Sequence, residues 1–170
     1  MKSFRRSAVY RHPVEDVWAA LTDPRALAEW LMPVTVFEAK VGATFRFQFD
    51  PERLNPTGIA DCEILECDPP RHLAWSFSNR SPEGSPQPPP MRIEWTLIPV
   101  EGGTRLELVQ SYEKQPWAMI FAMGMGWRFY LRRFLPQALK NVSGGAFRPG
   151  AIPLARRAYR ASNLPGDVIV

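Results

Sequence analysis

"GMGWRFYLRRFLPQALK", residues 124–140, sets Trp127, Tyr130, Leu131, Phe134, Leu135 and Ala138 in one arc of a helix turning about 100° per residue. Arg128, Arg132, Arg133, Gln137 and Lys140 fall opposite. Phe129 and Leu139 break the pattern, which predicts an outer contact there. Pro136 stands on the charged side, where it withholds an N–H from the carbonyl of Arg132 and opens that turn. Opening the solvent side bends a helix convex outward. A bowed helix with one aromatic side is a lid, and it needs a concave partner.

The preceding chain supplies one. From Val34 to Tyr112 the hydrophobic period is two. Phe45, Phe47 and Phe49 alternate with Thr44, Arg46 and Gln48. Leu73, Trp75 and Phe77 share a face, as do Ile93, Trp95 and Leu97 against Arg92, Glu94 and Thr96. "EGGT" (101–104) turns the chain into a strand where Leu106, Leu108, Gln110 and Tyr112 share a side. Strands apolar on one face need a single covering layer, which the helices must provide.

Before the sheet, "SFRRSAVYR" (3–11) alternates as a first strand, with Phe4, Arg6, Ala8 and Tyr10 on one face. Pro13 opens a helix with Glu15 and Asp16 in its first turn and Val14, Val17, Trp18 and Leu21 at helical spacing. Asp23 caps a second short helix beginning at Pro24, with Leu27, Trp30 and Leu31 inward. Loops fall at 50–58 and at 79–90, the latter with five prolines. The expected domains are residues 1–141 and a basic tail, 142–170, with four arginines against Asp167. The tail reads either as a short amphipathic helix near 153–162 or as disordered chain.

Composition excludes several classes. The 170 residues carry a net charge of +4 without a lysine-rich tract, which argues against nucleic acid. The longest apolar run, 117–127, reaches only about 16 Å as a helix, half of a roughly 30 Å hydrocarbon core. The N-terminus lacks an apolar signal core, so the expected location is cytoplasmic. Cys62 and Cys67 lie five apart in a strand, on opposite faces by alternation, so neither a local disulfide nor a metal site is expected. By the same count Asp61 and Glu63 share a face and Glu66 does not. No nucleophile–base order, metalloprotease motif or phosphate loop is present. His12 and His72 read as surface residues, and no catalytic residue or cofactor is assigned.

"HPVEDVWAALTDPRALAEWL", "VGATFRF", "GIADCEILECDPPRHLAWSF", "IEWTLIPVEGGTRLELVQSYE" and "GMGWRFYLRRFLPQAL" together resemble the SRPBCC superfamily, and within it the branch related to activators of the heat-shock chaperone ATPase. The similarity covers about residues 5–140; the proline-rich loop and the tail depart from it. It implies an α+β helix-grip fold: a curved antiparallel sheet of six to seven strands wrapped over a long C-terminal helix, with two short helices after the first strand. It also implies a cavity between sheet and helix.

The inward set is then Phe45, Phe47, Phe49, Trp75, Phe77, Trp95, Gln110, Tyr112, Trp127, Tyr130 and Phe134, the expected lining for an apolar or aromatic small molecule. Gln110 and Tyr112 are the polar groups expected to orient it. Met119, Met123, Met125, Gly124 and Gly126 in "WAMIFAMGMGW" read either as a gate or partner patch, or as a core helix entering the lid. Three functions follow. One is a small soluble binding protein, monomeric or homodimeric. The second is a polyketide cyclase/aromatase-like or hydrolase-like enzyme using Tyr112, Tyr130 or Glu94. The third is a co-chaperone-like protein-binding module.

Overall fold

The computed structural model describes residues 1–53 and 55–170; Leu54, within the 50–58 loop, lies outside the described residues. The elements run β1 (Lys2–Tyr10), α1 (Val14–Thr22), α2 (Pro24–Trp30), β2 (Thr44–Gln48), β3 (Ile59–Asp68), β4 (His72–Asn79), β5 (Met91–Val100), β6 (Gly103–Tyr112) and α3 (Trp117–Phe129). A π-helical turn (Tyr130–Phe134) joins α3 to α4 (Leu135–Leu139). A hairpin follows, β7 (Val142–Ser143) and β8 (Ala146–Phe147), then a 3-10 turn at Leu154–Arg156. This is the helix-grip architecture: six antiparallel strands in the order β1-β6-β5-β4-β3-β2, covered on one face by helices.

Asp23 accepts the amide of Arg25 at 2.9 Å, with Pro24 opening α2. The covering layer buries Val17, Leu21, Leu27, Trp30 and Leu31 against the inner sheet face. The outer face carries ion pairs between exposed or half-exposed groups, among them Arg80–Asp61 and Arg5–Glu107. The β5–β6 turn needs glycine for space: a Cβ on Gly103 would stand 2.0 Å from the carbonyl oxygen of Tyr10. Among the described residues no helix is long and apolar enough to cross a membrane.

Strict alternation fails in β3. A bulge between Ile64 and Glu66 advances the register, so that Cys62, Ile64 and Cys67 face Phe77, Trp75 and Leu73. The two cysteines therefore share the inner face, contrary to the alternation count. Glu66 correspondingly joins Asp61 and Glu63 outside. Both thiols are free.

The lid also departs from a uniform helix. A π turn consumes more residues per rotation than an α turn, so everything after it is rotated relative to the 100° wheel. Leu139 is thereby buried with Leu135 and Ala138, while Pro136 becomes half-buried. The orphaned carbonyl changes too. Leu135 donates to Tyr130, five residues back, so the next bond of that register would join position 136 to Leu131. Pro136 has no N–H, and Tyr10 Oη donates to the Leu131 oxygen instead, at 2.7 Å.

The tail is laid along the helices. The amide of Gly145 donates to Asp16, and those of Gly150 and Ile152 donate to the buried carboxylate of Glu29. Tyr159 Oη donates to the carbonyl of Ala28. Ile169 forms a two-bond bridge with Val34, which itself pairs with Phe47 of the edge strand β2. Between 153 and 162 the regular structure is the three-residue 3-10 turn, in place of an amphipathic helix.

Candidate functional site

Aromatic rings form a continuous train through the core. Phe37 meets Phe45, Phe45 meets Phe47 and Trp75, Trp75 meets Trp95, and Trp95 meets Trp127, with centroids 4.8–5.8 Å apart. Tyr130 and Phe134 extend it along the lid. Edge-on packing of this kind fills space. The indole N–H groups of Trp75 and Trp95 are buried without a hydrogen-bond partner among the described residues.

Beyond the train, at the ends of the strands, a hollow of about 260 Å³ remains between α3 and the sheet. Five of the eleven expected residues line it: Phe49, Phe77, Gln110, Trp127 and Tyr130. Phe45, Phe47, Trp75, Trp95 and Phe134 instead belong to the packed core. Tyr112 is buried at the end of β6, beside Lys2 of β1, and is not among the lining residues. Sequence reading missed Leu31 and Met32 after α2, Met91 and Ile93 on β5, and the polar trio Glu52, Asn55 and Asn79. Of these, Leu31 and Ile93 had been placed on inner faces but not assigned to the lining. The trio sits in loops and at a strand end, where no period marks a direction. An adjoining hollow, also about 260 Å³, reaches under the proline-rich loop and shares Asn55, Asn79, Met91, Met119 and Met123.

Gln110 is the polar anchor of this space. It is 1% exposed; its Oε1 accepts the indole N–H of Trp127 at 2.6 Å. Its amide nitrogen has one partner among the described residues, the thioether of Met91 at 3.2 Å, a weak acceptor. A donor is therefore held at the hollow with little to satisfy it. Tyr130 lines the same hollow. Burial, with the Glu52 carboxylate adding to it, pushes the Tyr130 phenol up to about 12. At neutral pH it is a hydrogen-bond donor and not a base.

The other chemistry-bearing groups lie elsewhere. Glu94 is on the outer face, 3.2 Å from Arg92. Glu66, His72 and Glu94 bring ligand atoms within 4.8 Å of one another, but Arg92 already supplies the positive charge, 2.6 Å from Glu66. The Arg92 guanidinium, then His72, hold the Glu66 carboxyl below the usual carboxylate range. Burial pushes the Cys62 thiol well up, with Asp61 adding to it, which leaves it protonated and unreactive. The carbonyl of His12 accepts the Thr104 hydroxyl at the far end of the sheet. A wider, open furrow of about 710 Å³ runs past β2, β3 and β4, where Arg46 pairs with Asp167 and Arg80 with Asp61.

α3 is not the core helix that one reading expected: only Gly124 and Trp127 are buried along it. Its inner side, with Met119, Ala122, Met123 and Gly126, roofs the hollow. Arg6 anchors it from below, donating to the Gly124 carbonyl at 3.2 Å.

Similarity to known proteins agrees with this architecture. Residues 11–140 match the family described as "Activator of Hsp90 ATPase homolog 1-like protein". MLL2253 from Mesorhizobium loti is 25% identical, with a TM-score of 0.66 over 79% of this chain and 94% of that one. CalU16 from Micromonospora echinospora is 30% identical, with a TM-score of 0.60 over 78% and 75%. The Aha1 dimer from Colwellia psychrerythraea, 21% identical, matches with a TM-score of 0.66 over 82% and 96%. No curated protein matches the sequence. With the family match spanning α1, α2, strands β2 to β6 and the lid, the chain belongs to the Activator of Hsp90 ATPase homolog 1-like family, within the SRPBCC superfamily.

Proposed function

We propose that this protein binds one small apolar or aromatic molecule in the hollow beneath α3, without covalent chemistry. The observation that carries the reading is the Gln110 amide nitrogen, buried at the wall of the hollow and partnered only by a thioether among the described residues. A guest carbonyl or hydroxyl would accept from it, and Phe49, Phe77 and Trp127 would sandwich the apolar part. A space of about 260 Å³ suits a guest of about one or two fused rings, at the lower end of small-molecule sites. Catalysis is less well supported, because the titratable groups at the hollow are Glu52 and a phenol that stays protonated.

Gly126 provides the test. A Cβ there meets nothing within 4 Å, so a larger side chain extends into the hollow without backbone conflict. Gly126→Leu should fold normally and lose binding of naphthalene and of aromatic ketones of one or two rings by about tenfold or more. Gln110→Leu should spare purely apolar probes and weaken the ketones. Equal affinities for wild type and Gly126→Leu, measured by fluorescence titration, would remove the hollow as the site.

A further inference from the structure

The side of α3 that faces away from the hollow is also apolar. Trp117 is 77% exposed, Phe121 65%, Met125 47% and Phe129 48%. These positions recur every four residues, so they form one stripe about 18 Å long on a single helix face. Exposed aromatics at regular spacing are unusual on a free surface and mark something that covers them.

We propose that this face docks on an anionic lipid bilayer, with the helix lying in the plane of the interface. The charge pattern selects that occupant. The 27 residues 114–140 contain five Lys or Arg and no Asp or Glu. Arg128, Arg132 and Arg133 are exposed along the stripe's C-terminal end, and the Arg133 guanidinium lies 5.6 Å from the ring centre of Phe129. Guanidinium groups beside half-immersed aromatic rings suit an apolar boundary layer under phosphate headgroups. A second copy of the chain would set this acid-free segment against itself, so charge disfavours a homodimer on this face. Since Met119 and Met123 on the same helix line the hollow, docking also brings its roof against the bilayer. The docking itself does not depend on the hollow being a binding site.

The full chain should co-sediment with phosphatidylcholine vesicles containing about one third phosphatidylglycerol and not with phosphatidylcholine alone. Raising the salt concentration should loosen it. Trp117→Ser combined with Phe121→Ser should weaken vesicle binding by about tenfold or more. Circular dichroism should be unchanged, because both side chains are solvent-facing. Arg128→Gln with Arg132→Gln should abolish the preference for the anionic lipid. Three results would overturn the proposal: no vesicle binding, binding undiminished in the Trp117/Phe121 variant, or a dimer in sedimentation velocity that the same variant splits.

Discussion

Glu29 is a buried carboxylate whose removal should be costly. Its carboxylate is buried on α2 and accepts the amides of Gly150 and Ile152, with Arg157 3.9 Å away. Glu29→Ala orphans two amide donors and takes from Arg157 its counter-charge, leaving it the Ile152 carbonyl and the Tyr159 hydroxyl as acceptors. The expected loss is about 2–4 kcal/mol, read from urea denaturation. Glu29→Gln keeps one acceptor oxygen and should cost about half as much. If Glu29→Ala were neutral, the tail would owe nothing to this anchor. Alternation and helical spacing gave the inner faces correctly at Leu73, Trp75, Ile93 and Leu108, all buried. They could not say which aromatics close against one another and which leave a gap. That depends on ring packing at the strand ends, and Phe49 and Phe77 line the gap while Phe47 and Trp75 do not.

Among the elements, the lid shows how a proline and a π turn act together. Its existence, direction and aromatic side were legible in the sequence, because amphipathic spacing survives one extra residue over a short stretch. The π turn was not legible, so the expected exposure of Leu139 and the expected orphan at Arg132 both shifted. β3 failed for the same reason: one bulge moves Cys67 and Glu66 across the sheet. The lid gives a sharp test. Burial raises the Tyr10 phenol well above its ordinary value, so it remains a donor to Leu131 at any physiological pH. Tyr10→Phe should cost about 1–3 kcal/mol, because Pro136 has no N–H to take over. In a Pro136→Ala background that N–H is restored, and the cost should shrink by about 0.5 kcal/mol or more in a double-mutant cycle. Strict additivity would mean that the two residues do not serve the same carbonyl.

On the scale of the whole molecule, the tail acts as a strap from the helix layer to the sheet edge. Its composition of glycine, proline and arginine carries no period, so the sequence left it open between helix and disorder. What orders it are carboxylates contributed by the body, at Asp16, Glu29 and Asp50, meeting backbone amides of the tail. At its far end Ile169 pairs with Val34, in the segment 33–35 that covers the edge of β2, an exposed strand edge being a site for unwanted pairing. Asp50 makes this strap acid-sensitive. It accepts the hydroxyl and amide of Ser162, and the hydroxyl, foremost, holds its carboxyl below the usual carboxylate range. A carboxyl lowered in the folded state contributes stability above its unfolded value, about 3.9, and loses it as pH falls through the folded value. The Ser162 and Asn163 amides should therefore keep constant protection from pH 8 to about 5 and lose it below about 4, after correction for intrinsic exchange. Asp50→Asn should show the loosened end already at pH 6, with a flatter acid limb. Because the carboxylate is open to solvent, the change should be local, leaving the Ile152 amide protected in both proteins. Protection at Ser162 that held constant down to pH 3 would place the strap's hold entirely at Glu29 and the Val34–Ile169 bridge.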